Sequence, residues 1–91
     1  MRVKFSNTFA KQYNKISTKT QKAFNKRLSL FIQDPSNSIL HNHALKGKYM
    51  GLRSINVTGD WRALYSEIIE KTGEKTALFQ VIGTHSQLYK R

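Results

Sequence analysis

The chain opens with a strict alternation of polar and apolar residues, RVKFS at 2–6, which predicts a short strand. The period then changes. Phe9, Tyr13 and Ile16 recur at i, i+4 and i+7, the spacing of one helix face, and predict a helix from about Asn7. ISTKT (16–20) interrupts the pattern and offers Ser17 or Thr18 as an N-cap. Phe24, Leu28 and Phe31, supported by Ala23 and Ile32, predict a second helix over about 18–33. Pro35 disfavours helical geometry at Asp34 and closes it. A polar connection containing HNHALKGKY follows over 35–50. Three further strands are then expected, GLRSINV (51–57), WRALYSEII (61–69) and KTALFQVIG (75–83), separated by the turn signals TGD and EKTGE.

The order β-α-α-β-β-β predicts an α+β fold: an antiparallel twisted sheet with an N-terminal helical hairpin packed on one face. No repeat or linker divides the chain, so a single domain over 1–91 is expected. Alternation places Trp61, Ala63 and Tyr65 on one face of their strand, and Arg62, Leu64, Ser66 and Ile68 on the other. In the last strand Leu78, Gln80 and Ile82 oppose Ala77, Phe79 and Val81. Neither face is cleanly polar, so periodicity does not choose the one under the helices.

Composition narrows the picture. Ninety-one residues lie near the lower limit for one hydrophobic core, and 38% hydrophobic content with five Phe, four Tyr and one Trp suffices for two layers. With no cysteine there is neither a disulfide framework nor thiolate chemistry, which suits a reducing cytoplasm. Charges interrupt every apolar run before it reaches membrane-spanning length.

Charge is the strongest compositional signal: sixteen Lys and Arg against five acids give +11. It is uneven. Residues 1–50 carry ten cations and one acid (+9), and residues 51–91 carry six and four (+2). Such a field attracts a polyanion, an acidic protein or an anionic membrane surface, and of these nucleic acid is the expected partner. Lys11 and Lys15 on the first helix, with Lys19, Lys22 and Lys26 on the second, form the basic side of the hairpin.

Histidine is suited to RNA cleavage because it titrates near neutrality. Internal attack needs a base for the 2′-OH, an acid for the leaving 5′-oxygen, and fixed cations near the developing phosphorane charge. His43, His85 and Asp60 are residue types for proton transfer; Arg53, Arg62, Lys46 and Lys48 are types for phosphate. His41 and His43, two apart, would point in opposite directions on extended backbone and form no simple chelate, so no metal and no cofactor are expected. Phosphate-loop, dinucleotide-binding and nucleophile-elbow motifs are absent. Tyr89, ahead of Lys90 and Arg91, reads as a core-edge cover or as a ring for stacking a splayed base. Trp61 reads first as a core or rim anchor.

LHNHALKGKYMGLRSINVTGDWRALY followed by IGTHSQLY resembles the RelE/ParE superfamily of bacterial type II toxins, nearest to the YafQ-type mRNA interferases. The H-x-L-x-G (43–47), V-x-x-D-W (57–61) and G-T-H-S-x-L-Y (83–89) elements carry the likeness, which covers nearly the whole chain. The resemblance implies a cytoplasmic, metal-independent endoribonuclease that cuts mRNA in the ribosomal 30S A site, touching mRNA and ribosomal RNA. It also implies a toxin that is monomeric alone and neutralised by a cognate acidic antitoxin. By the same resemblance His85 is the general acid, His43 and Asp60 belong to the catalytic set, and Tyr89 is the C-terminal aromatic. Asn56 and Val81 stand where the YafQ pattern has a histidine and an arginine, and Arg62 becomes the expected phosphate clamp. Two alternatives share this fold. One is a ParE-like toxin acting on a protein such as gyrase; the other is a non-catalytic RNA- or antitoxin-binding module.

Overall fold

In the computed structural model, which describes residues 1–89, eight elements follow one another. They are β1 (Arg2–Phe5), α1 (Asn7–Lys15), α2 (Thr18–Gln33), β2 (His43–Ala44), β3 (Arg53–Asn56), β4 (Trp61–Ile69), β5 (Lys75–Thr84) and α3 (His85–Leu88). Single 3-10 turns cover Ser38–Leu40 and Gly47–Tyr49. Lys90 and Arg91, the two cations that follow Tyr89, lie outside the described residues. No helix of the described residues is long and apolar enough to cross a membrane.

Serines set both helix starts. The Ser6 side chain accepts the Phe9 amide and that of Ser17 accepts the Thr20 amide, each satisfying one orphan donor of a first turn. Ile16 alone, in extended geometry, reverses the chain between α1 and the Ser17 cap. Ser6 also donates its hydroxyl to the Gln80 carbonyl at 3.0 Å, fastening the start of α1 to β5.

The α+β class holds, with one correction to the sheet. Its order is β1-β5-β4-β3-β2, and β1 pairs with β5 in parallel, so the sheet is mixed rather than wholly antiparallel. Tight turns dictate the direction of consecutive strands, but β1 reaches the sheet through the helical hairpin, which leaves both directions open. The 35–50 connection also adds a strand, since His43 and Ala44 pair with Ser54 and Arg53.

The helices choose the face. Phe9, Phe24 and Phe31 pack on Ile55, Val57, Ala63, Tyr65, Ala77, Phe79 and Ile82. The Phe79 ring is the hub, with centroids 5.8 Å from Phe9, 5.7 Å from Phe24, 5.5 Å from Phe31 and 5.3 Å from Tyr65. Ile82 joins Ala77 and Phe79 on that face, contrary to simple alternation. The register slips between Leu64 and Tyr65, which oppose Val81 and Phe79 and leave Gln80 as an inserted residue. A bulge of this kind shifts the phase of every later side chain by one. The residues that alternate away from the helices, Ser54, Asn56, Arg62, Leu64, Val81 and Gly83, therefore form the opposite face.

Candidate active site

The T-G-D turn is held by its own side chains. Thr58 Oγ1 accepts the amides of Asp60 (3.3 Å) and Trp61 (3.1 Å). Arg62 donates from Nη1 to the carbonyls of Thr58 and Trp61, both at 3.0 Å, and from Nη2 to that of Gly59 at 3.2 Å. Three of the five guanidinium N–H groups are thus spent on the turn, which leaves two outside it.

β5 delivers His85 to this turn. Trp61 opposes Thr84, and the next amide, that of His85, donates to the Asp60 carbonyl at 2.9 Å. Two residues far apart in sequence become neighbours through backbone alone. Thr84 then caps α3 in a reciprocal arrangement with Gln87: the Thr84 hydroxyl accepts the Gln87 amide, and the Gln87 side chain accepts the Thr84 amide. α3 folds so closely onto β5 that a Cβ on Gly83 would stand 3.2 Å from Leu88, and Leu88 is buried.

This short helix carries an aromatic array. The His85 ring lies 4.7 Å from that of Tyr89, which meets Tyr49 edge-on at 5.8 Å. Lys48 Nζ sits 5.3 Å from the Tyr49 centroid. Burial, reinforced by Tyr49 and opposed by Arg62, raises the Tyr89 phenol above the ordinary tyrosine value. It therefore remains a protonated donor at neutral pH.

The other expected site residues divide. His43 lies on the Arg62 face, because its partner Ser54 opposes Leu64, which opposes Val81. Three strand spacings, roughly 14 Å, separate the His43 backbone from β5, so His43 and His85 are not an adjacent pair. Arg53 opposes Tyr65 and points to the helix side, away from Arg62. Its Nε donates to Asn42 Oδ1 at 2.9 Å, and Asn42 donates to the Tyr65 hydroxyl at 2.8 Å. Lys48 accompanies the aromatic array, while Lys46 is exposed just before the Gly47–Tyr49 turn. Lys19, Lys22 and Lys26 line a cavity of about 460 Å³ with Arg27, beside Val57 and Thr58. Asn56 and Val81, the two departures from the YafQ pattern, both fall on the candidate face.

Two findings were not anticipated from sequence. Tyr49 belongs to the aromatic array, and its signal was the interleaving of cations with an aromatic ring in KGKY. The expectation that His41 and His43 diverge also fails, because His41 adopts a left-handed backbone (φ 47) that brings the two rings to 5.0 Å. Among the described residues no group of three or more His, Asp or Glu could hold a metal ion.

Solved structures share this architecture. YafQ from E. coli strain BL21(DE3) superposes with a TM-score of 0.76 at 21% identity, over 98% of this chain and 99% of that one. A YoeB/ParE toxin from Agrobacterium tumefaciens gives 0.73 at 15% identity, over 93% and 99%. The toxin–antitoxin complex RelBE2 from Mycobacterium tuberculosis gives 0.69 at 18% identity, over 92% and 96%. A twisted five-stranded sheet, a helical hairpin on one face and a short C-terminal helix make up the fold class that this chain shares with these solved toxins. Within that class the chain belongs to the YafQ family, whose model, a bacterial toxin of type II toxin-antitoxin systems, matches residues 1–90. None of the curated protein sequences matches it.

Proposed function

We propose that this toxin is an endoribonuclease that cuts mRNA in the ribosomal A site with its own acid and base side chains. The observation that carries the reading is the backbone bond between His85 and Asp60, made at the turn that the Arg62 guanidinium also holds. In this mechanism the 2′-oxygen attacks phosphorus as its proton passes to a base. The 5′-oxygen leaves as His85 protonates it. Asp60 is the better-placed base or orienting group, and His43, across the sheet, binds the substrate further along. The two unspent N–H groups of Arg62 stabilise the phosphorane charge, and the Tyr89 ring orients a base beside His85.

Lys46, Lys48 and the α2 lysines hold mRNA and ribosomal RNA backbone, with affinity that falls steeply with salt. Arg53 contributes through Asn42 and Tyr65 rather than at the scissile phosphate. The partner in the resting state is an acidic antitoxin. The +11 charge favours it, as among the described residues only Arg2 and Lys4 pair with acids. The E. coli relative YafQ is known in a complex with DinJ.

The test is mRNA cleavage on programmed ribosomes with wild-type and His85→Ala protein. Wild type should produce new 5′ ends and the variant should lose them; equal cutting by both would remove His85 from the reaction. Asn56 and Val81 favour one second reading, a module that binds RNA without cutting it. Asn hydrogen-bonds but does not shuttle a proton at neutral pH, and Val holds no phosphate. In the same assay that reading gives ribosome binding with intact mRNA.

A further inference from the structure

Trp61 has a role in the core, where its side chain packs partly buried against the aromatic cluster. Its position suggests more. Its backbone is fixed on both sides, the amide donating to Thr58 Oγ1 and the carbonyl accepting from Val57 and Thr58. It stands opposite Thr84, one residue before His85. An open cavity of about 710 Å³ reaches it, lined also by Gln12, Lys15, Ser17 and Thr20. The cavity of Lys19, Lys22, Lys26 and Arg27 reaches Val57 and Thr58 at the start of the turn that Trp61 ends, and α2 borders both: Thr20 lines the first, Lys19 and Ala23 the second. No Asp or Glu lines either one.

We propose that these two cavities form one track for single-stranded RNA, along which a base stacks on Trp61 and Lys15, Lys19 and Lys22 hold the flanking phosphates. A row of spaced cations interrupted by one aromatic ring is the arrangement that binds single strands without reading sequence. Gln12 is partly committed, since its Oε1 accepts the Ile82 amide at 2.9 Å. The Ser17 and Thr20 hydroxyls, 3.1 Å apart, offer acceptors and donors to ribose. The track extends the proposed ribonuclease reading, because it feeds a strand past Thr84 to His85. The first cavity is also lined by Tyr49, whose ring meets Tyr89 edge-on, so the track reaches the aromatic array beside His85.

Trp61 is the only tryptophan, so its emission reports the track directly. The probe is a 2′-O-methyl oligoribonucleotide of about eight residues, which cannot undergo internal attack, labelled for anisotropy. Titration should quench Trp61 saturably, in step with the anisotropy, and raising the salt should reverse both. Lys19→Glu/Lys22→Glu protein should bind about tenfold more weakly, while Lys71→Glu, exposed in the turn between β4 and β5 at the far end of β4 from Trp61, should quench like wild type. Binding seen by anisotropy with unchanged Trp61 emission overturns the track, and so does an absence of binding. Quenching by a protein that does not cut mRNA supports the track and removes the ribonuclease reading. Cutting without quenching does the reverse.

Discussion

Leu88→Ala tests how α3 is held, because α3 carries His85 at its first position and Tyr89 just past its last. The helix has four residues and cannot persist alone. Three attachments dock it: the Thr84–Gln87 cap, the His85 amide on the Asp60 carbonyl, and the Leu88 side chain, which is 4% exposed against β5. Burying a leucine contributes about 1.5–3 kcal/mol, and the truncation forfeits most of that. At about 1.4 kcal/mol per decade, the ratio of docked to undocked α3 falls roughly ten- to hundredfold. The core cluster does not include Leu88, so the sheet should remain folded.

Hydrogen exchange reads this directly. The Tyr89 amide donates to the His85 carbonyl at 3.0 Å, within α3. Its protection should drop by the same ten- to hundredfold factor while the amides of β4 and β5 keep theirs. Cleavage, if His85 and Tyr89 act as proposed, should decline in parallel. Unchanged Tyr89 protection would mean that the cap alone docks α3. Uniform loss across the sheet would mean that α3 is inseparable from the core, and either result refutes the reasoning.

Other outcomes follow from the core. Phe79→Ala removes the ring around which Phe9, Phe24, Phe31 and Tyr65 pack, at a cost of about 3–5 kcal/mol. That is a large fraction of a small domain's stability, so urea unfolding should shift to far lower midpoints or the protein should fail to fold. Burial raises the Tyr65 phenol above its ordinary value of 10.0, with Asn42 and Arg53 opposing. The unfolded chain therefore ionises first, and this residue's contribution is intact below about pH 10 and lost as pH rises through the folded value. Urea midpoints measured between pH 8 and 11 should fall, and Tyr65→Phe should fall less steeply while starting lower, having lost the bond from Asn42. An equally steep decline in the variant would assign the alkaline loss to another group.

Local signals carried much of this fold, and non-local ones account for what was missed. α2 begins and ends where Ser17 and Pro35 predict, because a cap and a ring clash are decided within a few residues. β4 spans 61–69 as its pattern reads, between two turn signals. The parallel β1–β5 pairing was not legible, since it joins residues more than seventy positions apart. Nor was the inserted Gln80, which alters phase without altering composition. Arg53 and Arg62 read alike as phosphate residues, yet the turn fixes Asn56 opposite Arg62, and that register sends Arg53 to the other face. The resemblance put His85 and Asp60 in one catalytic set, but composition and periodicity did not bring them together, because their neighbourhood is made by a backbone bond, to which side-chain identity gives no clue.

The pairing of the first strand with the last also dictates an order of assembly. β1 has no sheet partner until residues 76–79 have been synthesised, and Phe79, the hub of the core, arrives with them. Until then the amphipathic hairpin of α1 and α2 has only the β2–β4 part of the sheet to cover. A nascent chain stalled before β5 therefore holds neither the closed core nor the His85–Asp60 contact. The candidate site is thus a late acquisition of the chain, and a polypeptide truncated ahead of Lys75 should be without the proposed activity however well its hairpin forms.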